Sequence, residues 1–318
     1  MYNTKLSVAR LLKISFVIPA KNEEQSVGRL YSEIKRSIHP ITRDYEIIFI
    51  DDGSTDNTFK ELCKLRKRSK KIKVIKHRGN WGKSIALRNG FEAATGELIF
   101  TLDADLQDNP VEIPKFIKKL NDGYDLVTGW KRKRYDPTSK VVPSRILNHT
   151  VSFLTGVKIH DTNCGFKLYR REVVKNLALY GELYRFIPIL AAKQNFRVGE
   201  VVVRHRKRRF GKTKFGWERN IKGFLDLLTI IFLTGYMYRP GHFFGTLGIG
   251  SFAGGFAIGV YIAYLRITTG SIQFRHPLLF LGMLLMIVGV QLISTGLLAE
   301  MVIHRQKKNY RSFIEREL

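Results

Sequence analysis

The chain begins its first recognisable element with Ile14-Ser15-Phe16-Val17-Ile18-Pro19-Ala20-Lys21-Asn22-Glu23-Glu24, an apolar run that changes abruptly into a polar loop. Further short apolar runs rich in branched residues lie at 45–50, 72–75, 97–102 and 125–128. Helix-like segments separate them, near 23–38, 55–68, 82–94 and 110–121. This alternation predicts βαβ units and a mostly parallel sheet. We therefore expect an α/β domain whose ligand lies beyond the carboxyl ends of the strands.

The composition is strongly basic. The 318 residues include 54 Lys and Arg against 27 Asp and Glu, a formal net charge of +27 at pH 7. Because 44% of the residues are hydrophobic, the chain can form a packed core and is not a disordered basic tail. The excess charge indicates anionic partners of three open classes: nucleic acid, an anionic membrane surface, or phosphorylated small molecules. The two cysteines, Cys63 and Cys164, support neither a disulfide framework nor a Cys-based zinc site, and they favour a reducing compartment.

Two segments near the end of the sequence, 241–265 and 277–299, contain no Asp, Glu, Lys or Arg. As helices, either is long enough to cross the hydrocarbon core of a bilayer, which is about 30 Å thick. The alternative is a pair of buried core helices, which rarely stay free of charge over such a length. We expect a cytosolic α/β domain at 1–214, an interfacial amphipathic helix at 215–239, and a transmembrane hairpin with a basic cytosolic tail at 240–318.

The distribution of basic residues predicts the orientation of this hairpin. Seven basic residues lie between Arg204 and Lys214, and four more follow the second span at 304–308, whereas the connecting loop offers only Arg266 and Arg275. By the positive-inside rule, both termini and the α/β domain lie in the cytoplasm. The apolar run after Lys13 is too short for a signal peptide and is followed at once by charged residues. The sequence thus predicts a multi-pass protein of the cell (inner) membrane.

The segment 217–238 combines apolar runs with Arg219, Lys222 and Asp226. This pattern favours an amphipathic helix in the membrane interface over a third span, because charges within a span are costly. Gly250 and Gly254, like Gly255 and Gly259, have the small-xxx-small spacing that lets helices approach closely. The spacing fits either packing within the hairpin or formation of a homo-oligomer.

Three acidic clusters follow predicted strands, at 19–24, 51–56 and 103–108. Each alone could cap the next helix, but together they converge on one rim of a very basic protein. Asp103 and Asp105, two residues apart, suit a hard divalent cation, with Gln107 as a neutral oxygen or water contact. Neither a P-loop nor a Gly-x-Gly-x-x-Gly fingerprint is present at the first turn. We therefore expect a nucleotide bound through a metal.

These motifs resemble family 2 glycosyltransferases: Val17-Ile18-Pro19-Ala20-Lys21-Asn22-Glu23, Asp51-Asp52-Gly53-Ser54-Thr55-Asp56 and Asp103-Ala104-Asp105-Leu106-Gln107-Asp108. The stretches Gly165-Phe166-Lys167-Leu168-Tyr169-Arg170-Arg171 and Gly211-Lys212-Thr213-Lys214-Phe215-Gly216, followed by two spans, resemble polyprenyl-phosphate glycosyltransferases related to dolichol-phosphate mannose synthase. The bacterial glucosyltransferases of the O-antigen-modifying type share the two-span tail. The resemblance covers essentially the whole chain and implies a GT-A fold, Rossmann-like in architecture.

The resemblance also implies site residues. Asp105, Asp161 and Arg145 would be catalytic, and Asp103, Asp105 and Gln107 would hold Mg²⁺ or Mn²⁺. Lys131, Arg132 and Arg145 would bind the acceptor phosphate. The nucleotide sugar would contact Pro19, Ala20, Asn22, Glu23, Asp51, Asp52, Lys83, Asp103, Ala104, Asp105, Gln107 and Lys214. Asp161 would act as a base or only position the acceptor, and the loop from Gly211 to Lys214 would close over the donor.

The implied reaction is inverting transfer of one sugar, glucose from UDP-glucose in the first instance, to undecaprenyl phosphate. UDP-N-acetylglucosamine and GDP-mannose are the alternative donors. A processive polysaccharide synthase would need more spans and a Gln-x-x-Arg-Trp motif, whereas Val198 follows Gln194-Asn195-Phe196-Arg197. A nucleic-acid-binding membrane protein would explain the charge, but no such signature is present. A non-catalytic scaffold is disfavoured by the intact Asp103 and Asp105.

Overall fold

The computed structural model describes residues 12–132, 150–152, 155–177, 179–206, 240–272 and 274–305. The chain divides into two compact units, Met1–Ile231 and Phe232–Leu318. Each unit is described by itself below.

The first unit is an alternation of strands and helices, as the apolar pattern predicts. Its strands are β1 (Ile14–Ala20), β2 (Tyr45–Asp51), β3 (Ile72–Lys76), β4 (Leu98–Thr101), β5 (Leu126–Trp130), β6 (Lys167–Arg170) and β7 (Val198–Val202). Its helices are α1 (Val27–Ile38), α2 (Thr58–Arg68), α3 (Lys83–Ala93), α4 (Ile113–Asn121), α5 (Arg171–Asn176) and α6 (Ile187–Lys193), with short 3₁₀ turns at Pro110–Glu112 and Leu183–Phe186. The predicted strands and helices agree with these bounds within a few residues.

The strands form one sheet in the order β3-β2-β1-β4-β6-β5-β7. Neighbours pair in parallel except β6, which runs antiparallel between β4 and β5. The mostly parallel sheet is therefore confirmed, with one reversed strand that the apolar pattern did not predict. Because β1, β2 and β4 are parallel, the loops that follow them leave the same edge of the sheet.

The core lies between the sheet and its helices. Helix α1 buries Val27, Leu30, Ile34 and Ile38, a spacing that places all four side chains on one face. Next to it in the same core, Phe16 stacks on Phe100 with ring centroids 5.3 Å apart. Phe116 and Phe166 extend this aromatic cluster, with their centroids 4.3 Å apart. The cluster ties β6 to the parallel part of the sheet.

Glu46 on β2 forms a buried polar network at the sheet edge opposite the polar loops. Its carboxylate accepts hydrogen bonds from Ser15 Oγ at 2.7 Å and from the backbone N and Oγ1 of Thr95 at 2.6 and 2.7 Å. Lys73 Nζ lies 2.8 Å from Glu46 Oε2. Burial raises the pKa of Glu46, but the lysine and the hydrogen bonds outweigh it and lower the pKa to about 2.

We expect Glu46→Ala to lower the free energy of unfolding by roughly 3 kcal/mol, because it leaves buried donors without an acceptor. Since the folded pKa is depressed, this contribution is present above the ordinary value of 4.5 and is lost as the pH falls toward 2. Thermal melts of both proteins in detergent should therefore converge at acid pH. The control is Glu61→Ala, which removes an exposed pair with Lys64 and should cost less than about 1 kcal/mol. Equal melting temperatures of wild type and Glu46→Ala at pH 7 would contradict the expectation.

The second unit is a hairpin of two apolar helices, α7 (Pro240–Thr269) and α8 (His276–Arg305). Both are long and apolar enough to cross a membrane, as predicted for 241–265 and 277–299. Most of the large apolar side chains in both helices are exposed, unlike those of core helices. The hairpin therefore fits an apolar surrounding better than water.

Glycines spaced seven residues apart bring the two helices into contact. Cβ atoms added at Gly248 and Gly289 would each lie 2.7 Å from the other residue's carbonyl oxygen, and one at Gly255 would lie 2.5 Å from the carbonyl oxygen of Gly282. Only glycine permits such an approach of two backbones. Of the glycines singled out by sequence, Gly255 lies at this contact, whereas a Cβ added at Gly250, Gly254 or Gly259 would meet nothing within 4 Å among the described residues.

Candidate functional site

The loops after β1 and β2 are joined to each other at the carboxyl edge of the sheet. The backbone N of Asn22 donates to Ser54 Oγ at 3.0 Å, and Asn22 Oδ1 accepts from the backbone N of Thr55 at 2.8 Å. The backbone N of Glu23 donates to Thr58 Oγ1 at 2.7 Å. Asn22 has a φ of 52°, a left-handed conformation that asparagine tolerates better than most residues. The side chain of Asn22, predicted to bind nucleotide, thus holds the two loops together.

Asp52 organises the loop between β3 and α3. Its Oδ1 accepts from the backbone N of Trp81 and faces His77 Nδ1, both at 2.9 Å, and its Oδ2 accepts from the backbone N of Gly82 at 2.9 Å. His77 Nε2 lies 2.9 Å from Asn89 Nδ2. Asp52 therefore positions the start of α3, where Lys83 lies.

Asp51 differs from its neighbour in its hydrogen bonds. Its side chain is fully buried at the end of β2, and Oδ1 accepts from the backbone N of Ser54 at 3.0 Å. Within the part of the chain that the structure describes, Oδ2 has no hydrogen-bond partner. A buried carboxylate oxygen without a donor is costly, so Asp51 is the better placed of the two to accept a hydrogen bond from a ligand.

Asp103 and Asp105 follow β4 on the same edge, beside a lysine. Lys83 Nζ forms an ion pair with Asp103 Oδ1, and Asp105 Oδ1 accepts from the backbone N of Gln107 at 3.1 Å. Burial raises the pKa of Asp103, but the ammonium groups of Lys83 and Lys131 outweigh it and hold the pKa below its usual value. Both the position of Lys83 and the shift show that a positive charge is favoured at this carboxylate.

Asp103 lies against the backbone of Gly165, two residues before β6. A Cβ added there would lie 2.5 Å from Asp103 Oδ2. The carbonyl of Gly165 accepts from Thr101 Oγ1 at 2.8 Å, which fixes this segment beside the end of β4. The carboxylate of Asp103 can therefore lie at this position only because residue 165 has no side chain.

Lys131 and Asp108 form a second group of buried charges. Lys131 Nζ is 2.8 Å from Asp108 Oδ1, and their side chains are 13% and 1% exposed. Burial lowers the pKa of Lys131, but Asp108 outweighs it and raises the pKa well above its usual value. Lys131, predicted to bind the acceptor phosphate, is therefore paired with an acid in this structure, and Asp108 is more than the helix cap considered from sequence.

Lys167 is a buried cation that the sequence-based site did not include. It donates to the carbonyl oxygen of Cys164, and burial lowers its pKa to about 8. Its position in the Gly165-Phe166-Lys167 motif was the only available signal. Asp161 is also buried, with Oδ2 3.4 Å from the backbone N of Lys131.

The other predicted residues divide between the rim and the undescribed segments. Pro19, Ala20 and Ala104 lie at or just beyond the strand ends, and Arg132 is exposed after β5. Gln107 is held by its carbonyl oxygen, which accepts from the backbone N of Arg206 at 2.9 Å. Arg145, Lys214 and the predicted interfacial helix lie outside the described residues.

Two carboxylates, rather than a complete ligand set, are offered to a metal. Among the described residues no group of three His, Cys, Asp or Glu side chains is arranged to hold an ion. Asp103 and Asp105 are hard oxygen donors, and Lys83 shows that Asp103 favours a cation. This fits Mg²⁺ or Mn²⁺, which bind through one or two carboxylates and take their remaining ligands from substrate phosphates and water.

Comparisons with known proteins agree with this geometry. Residues 15–178 match the glycosyl transferase family 2. The dodecaprenyl-phosphate galacturonate synthase of Rhizobium johnstonii is 37% identical over 296 residues, which cover 92% of this chain and 88% of that protein.

The solved structures that resemble the chain include glucosyl-3-phosphoglycerate synthase from Mycobacterium tuberculosis in complex with Mn²⁺ and UDP-glucose. The TM-score is 0.55 at 20% identity, over 72% of this chain and 82% of that one. A second structure of that synthase, with phosphoglyceric acid, gives the same TM-score and coverage. At this level of identity the likeness establishes the fold alone, and it confirms the predicted GT-A architecture.

Proposed function

Because the chain belongs to glycosyl transferase family 2, we propose that this glycosyltransferase transfers a single sugar from a nucleotide sugar to a polyprenyl phosphate, with inversion at the anomeric carbon. The observation that carries the proposal is the pair Asp103 and Asp105 at the carboxyl edge of a GT-A sheet. The same chain also contains an apolar helical hairpin. The relative named for dodecaprenyl phosphate aligns with 92% of this chain.

The proposed reaction needs no strong general base. The acceptor phosphate, with a second pKa near 6 by analogy with phosphorylated side chains, is mostly ionised at pH 7. One of its oxygens attacks the anomeric carbon, the bond from that carbon to the diphosphate breaks, and the nucleoside diphosphate leaves. What the protein must supply is positioning of two anionic substrates against their mutual repulsion.

Asp103 and Asp105 would hold Mg²⁺ or Mn²⁺, which when bound supplies positive charge at the leaving diphosphate. Lys83 would bind donor phosphate once the substrate displaces it from Asp103. Asp51 would accept a hydrogen bond from the base or ribose, since its Oδ2 has no partner among the described residues. Arg132 would bind the acceptor phosphate together with Arg145, and Lys214 would contact the donor; these last two roles rest on the family resemblance.

The donor is proposed to be a UDP-sugar. A structural neighbour is solved with UDP-glucose, and the curated relative is named for galacturonate. The first two donors to test are therefore UDP-glucose, which is expected from the sequence, and UDP-galacturonate. The alternatives UDP-N-acetylglucosamine and GDP-mannose complete the panel. Purified protein given each donor with undecaprenyl phosphate and Mn²⁺ should use one of the first two at least tenfold better than GDP-mannose; equal use of GDP-mannose would refute the UDP assignment.

The hairpin is proposed to cross the membrane twice, with the catalytic domain, both termini and an interfacial helix at 215–239 on the cytoplasmic side of the inner membrane. The basic residues near that segment would attract anionic lipid, at about 1 kcal/mol for each Lys or Arg near the surface. The small-residue spacing along α7 would also allow a homo-oligomer. Nucleic acid has no place in this proposal.

The topology can be tested with one introduced thiol. We expect Ser271→Cys, in the loop between the two helices, to react with a membrane-impermeant maleimide in intact cells. The half-buried native Cys63 of the catalytic domain is the internal control and should react only after the cells are permeabilised. If the introduced thiol were labelled only after permeabilisation, the topology would be contradicted.

A further inference from the structure

Glu200 on β7 holds the loop that carries Asp161. Its Oε1 accepts from the backbone N of His160 at 2.9 Å and from the backbone N of Asp161 at 3.1 Å. Its Oε2 lies 2.8 Å from His160 Nδ1. The side chain of Glu200 is only 13% exposed, whereas that of His160 is 63% exposed. One side chain therefore fixes two successive peptide groups.

The same loop is held from the neighbouring strand β5. The indole of Trp130 stacks on the imidazole of His160, with ring centroids 4.1 Å apart and an angle of 14° between the planes. Strands β5 and β7 are hydrogen-bonded neighbours, with Thr128 opposite Glu200. Trp130 on β5, Glu200 on β7 and the loop at 160–161 thus form one packed unit. His160 contacts both strands of this unit.

This unit leads to the residues predicted to meet the acceptor. Asp161 is 1% exposed, and its Oδ2 lies 3.4 Å from the backbone N of Lys131. Lys131 and the exposed Arg132 directly follow β5, where the chain enters the basic segment at 131–134. A displacement of Asp161 would therefore disturb this contact with the backbone at 131. These contacts involve β5, β7 and the loop at 160–161, and not the nucleotide loops after β1 and β2.

We propose that Glu200 is a positioning residue for the lipid-phosphate acceptor: it fixes the loop at 160–161 so that Asp161 orients the backbone at Lys131, next to Arg132, the cation proposed above to bind the acceptor phosphate. The inference rests on the proposed function. A positional error of about 1 Å in a binding group can lower catalytic efficiency by up to about 10²-fold. Glu200 is one step removed from that group, so we expect a smaller effect, and one confined to the acceptor.

The test compares Glu200→Ala, Glu200→Asp and Glu200→Gln in the full-length protein. Glu200→Ala should raise the KM for undecaprenyl phosphate about tenfold, with the KM for the sugar nucleotide and kcat within threefold of wild type. Glu200→Gln retains an oxygen for the two backbone N–H groups and should restore an acceptor KM within threefold of wild type. Glu200→Asp retracts the carboxylate by one methylene and should give an intermediate acceptor KM, and it provides the measurement if the alanine variant does not fold.

Asp125→Ala is the matched control. Asp125 also anchors the backbone between β5 and β7, at their opposite end, by accepting from the backbone N of Arg197 at 2.8 Å. Its loss should lower stability without raising the KM for the acceptor. An unchanged acceptor KM in Glu200→Ala or Glu200→Asp, or an equal rise in the donor KM, would overturn the inference. Wild-type protein that binds UDP-sugar but forms no lipid product would instead refute the proposed function, so the two failures are distinguishable.

Discussion

Asp105→Asn should lower sugar transfer about 10³-fold at saturating donor and acceptor. The substitution keeps the size of the side chain and an oxygen to accept from the backbone N of Gln107, which Asp105 Oδ1 accepts at 3.1 Å. It removes one of the two negative charges proposed to hold the divalent cation. Electrostatic stabilisation of a leaving group is commonly the largest catalytic contribution, and loss of a single hydrogen-bond donor to a developing charge already costs about 10²- to 10³-fold.

The measurement is the rate of lipid-linked sugar formation as a function of Mn²⁺ concentration. The Mn²⁺ concentration needed for half-maximal rate should rise in Asp105→Asn, whereas the melting temperature should stay close to that of wild type. Asp44→Asn is the control, because Asp44 is an exposed acid in the loop before β2, at the far edge of the sheet. Near-normal transfer by Asp105→Asn would remove Asp105 from the metal site.

Gly165→Ala should lower transfer about 10²-fold while leaving the fold intact. The new Cβ would lie 2.5 Å from Asp103 Oδ2 and 2.6 Å from its Cγ, so one of the two groups must move. The backbone of residue 165 is fixed by the hydrogen bond from Thr101, whereas the carboxylate is at the end of a side chain and can rotate. Asp103 would therefore be displaced by roughly 1 Å, which is enough for a loss of this size.

Kinetics and melting curves of the same preparation separate displacement from unfolding. Gly28→Ala, on α1, is the control, because a Cβ there would meet nothing within 4 Å among the described residues. It should retain wild-type kcat/KM. If Gly165→Ala transferred sugar at the wild-type rate, the contact with Asp103 would have no part in catalysis.

Strands β1 to β5 and helices α1 to α4 were predictable because they are encoded locally. Each of these strands is a short apolar run, and α1 and α4 repeat their apolar residues on one face, so these elements can be recognised without distant partners. Strand β6 is different. Lys167–Arg170 pairs with β4 and β5 from a distance of dozens of residues, and a run that begins with lysine and ends with arginine has no strand pattern of its own.

The candidate site was predictable in its position but not in its internal contacts. Motifs after β1, β2 and β4 identify the edge, because strand direction alone brings those loops together. The pairing of Lys131 with Asp108 and the burial of Lys167 depend on tertiary packing, which spacing along the chain does not encode. Sequence also treated Asp51 and Asp52 as equivalent, and only their hydrogen bonds distinguish them: Asp52 orders the loop before α3, whereas Asp51 Oδ2 has no partner among the described residues.

The fold shows where part of the positive charge of the chain is used. Several cations of the catalytic unit are paired with acids inside the protein, as Lys83 is with Asp103 and Lys131 with Asp108. To bind an anionic substrate, Lys83 would have to exchange Asp103 for the substrate. The ion pair with Asp103 would thus hold a positive charge in the site before the substrate binds. The remaining exposed excess is available for the membrane surface.

The most direct test of the central claim is to follow a radiolabelled sugar from its nucleotide into lipid. Detergent-solubilised protein with labelled UDP-sugar, Mn²⁺ and undecaprenyl phosphate should move the label into the organic phase, with one UDP released for each sugar transferred. The product mass should equal the lipid phosphate plus one sugar, and undecaprenol without its phosphate should accept none. Label that remains in water as free sugar, or that enters the phosphate-free alcohol equally well, would contradict transfer to a polyprenyl phosphate.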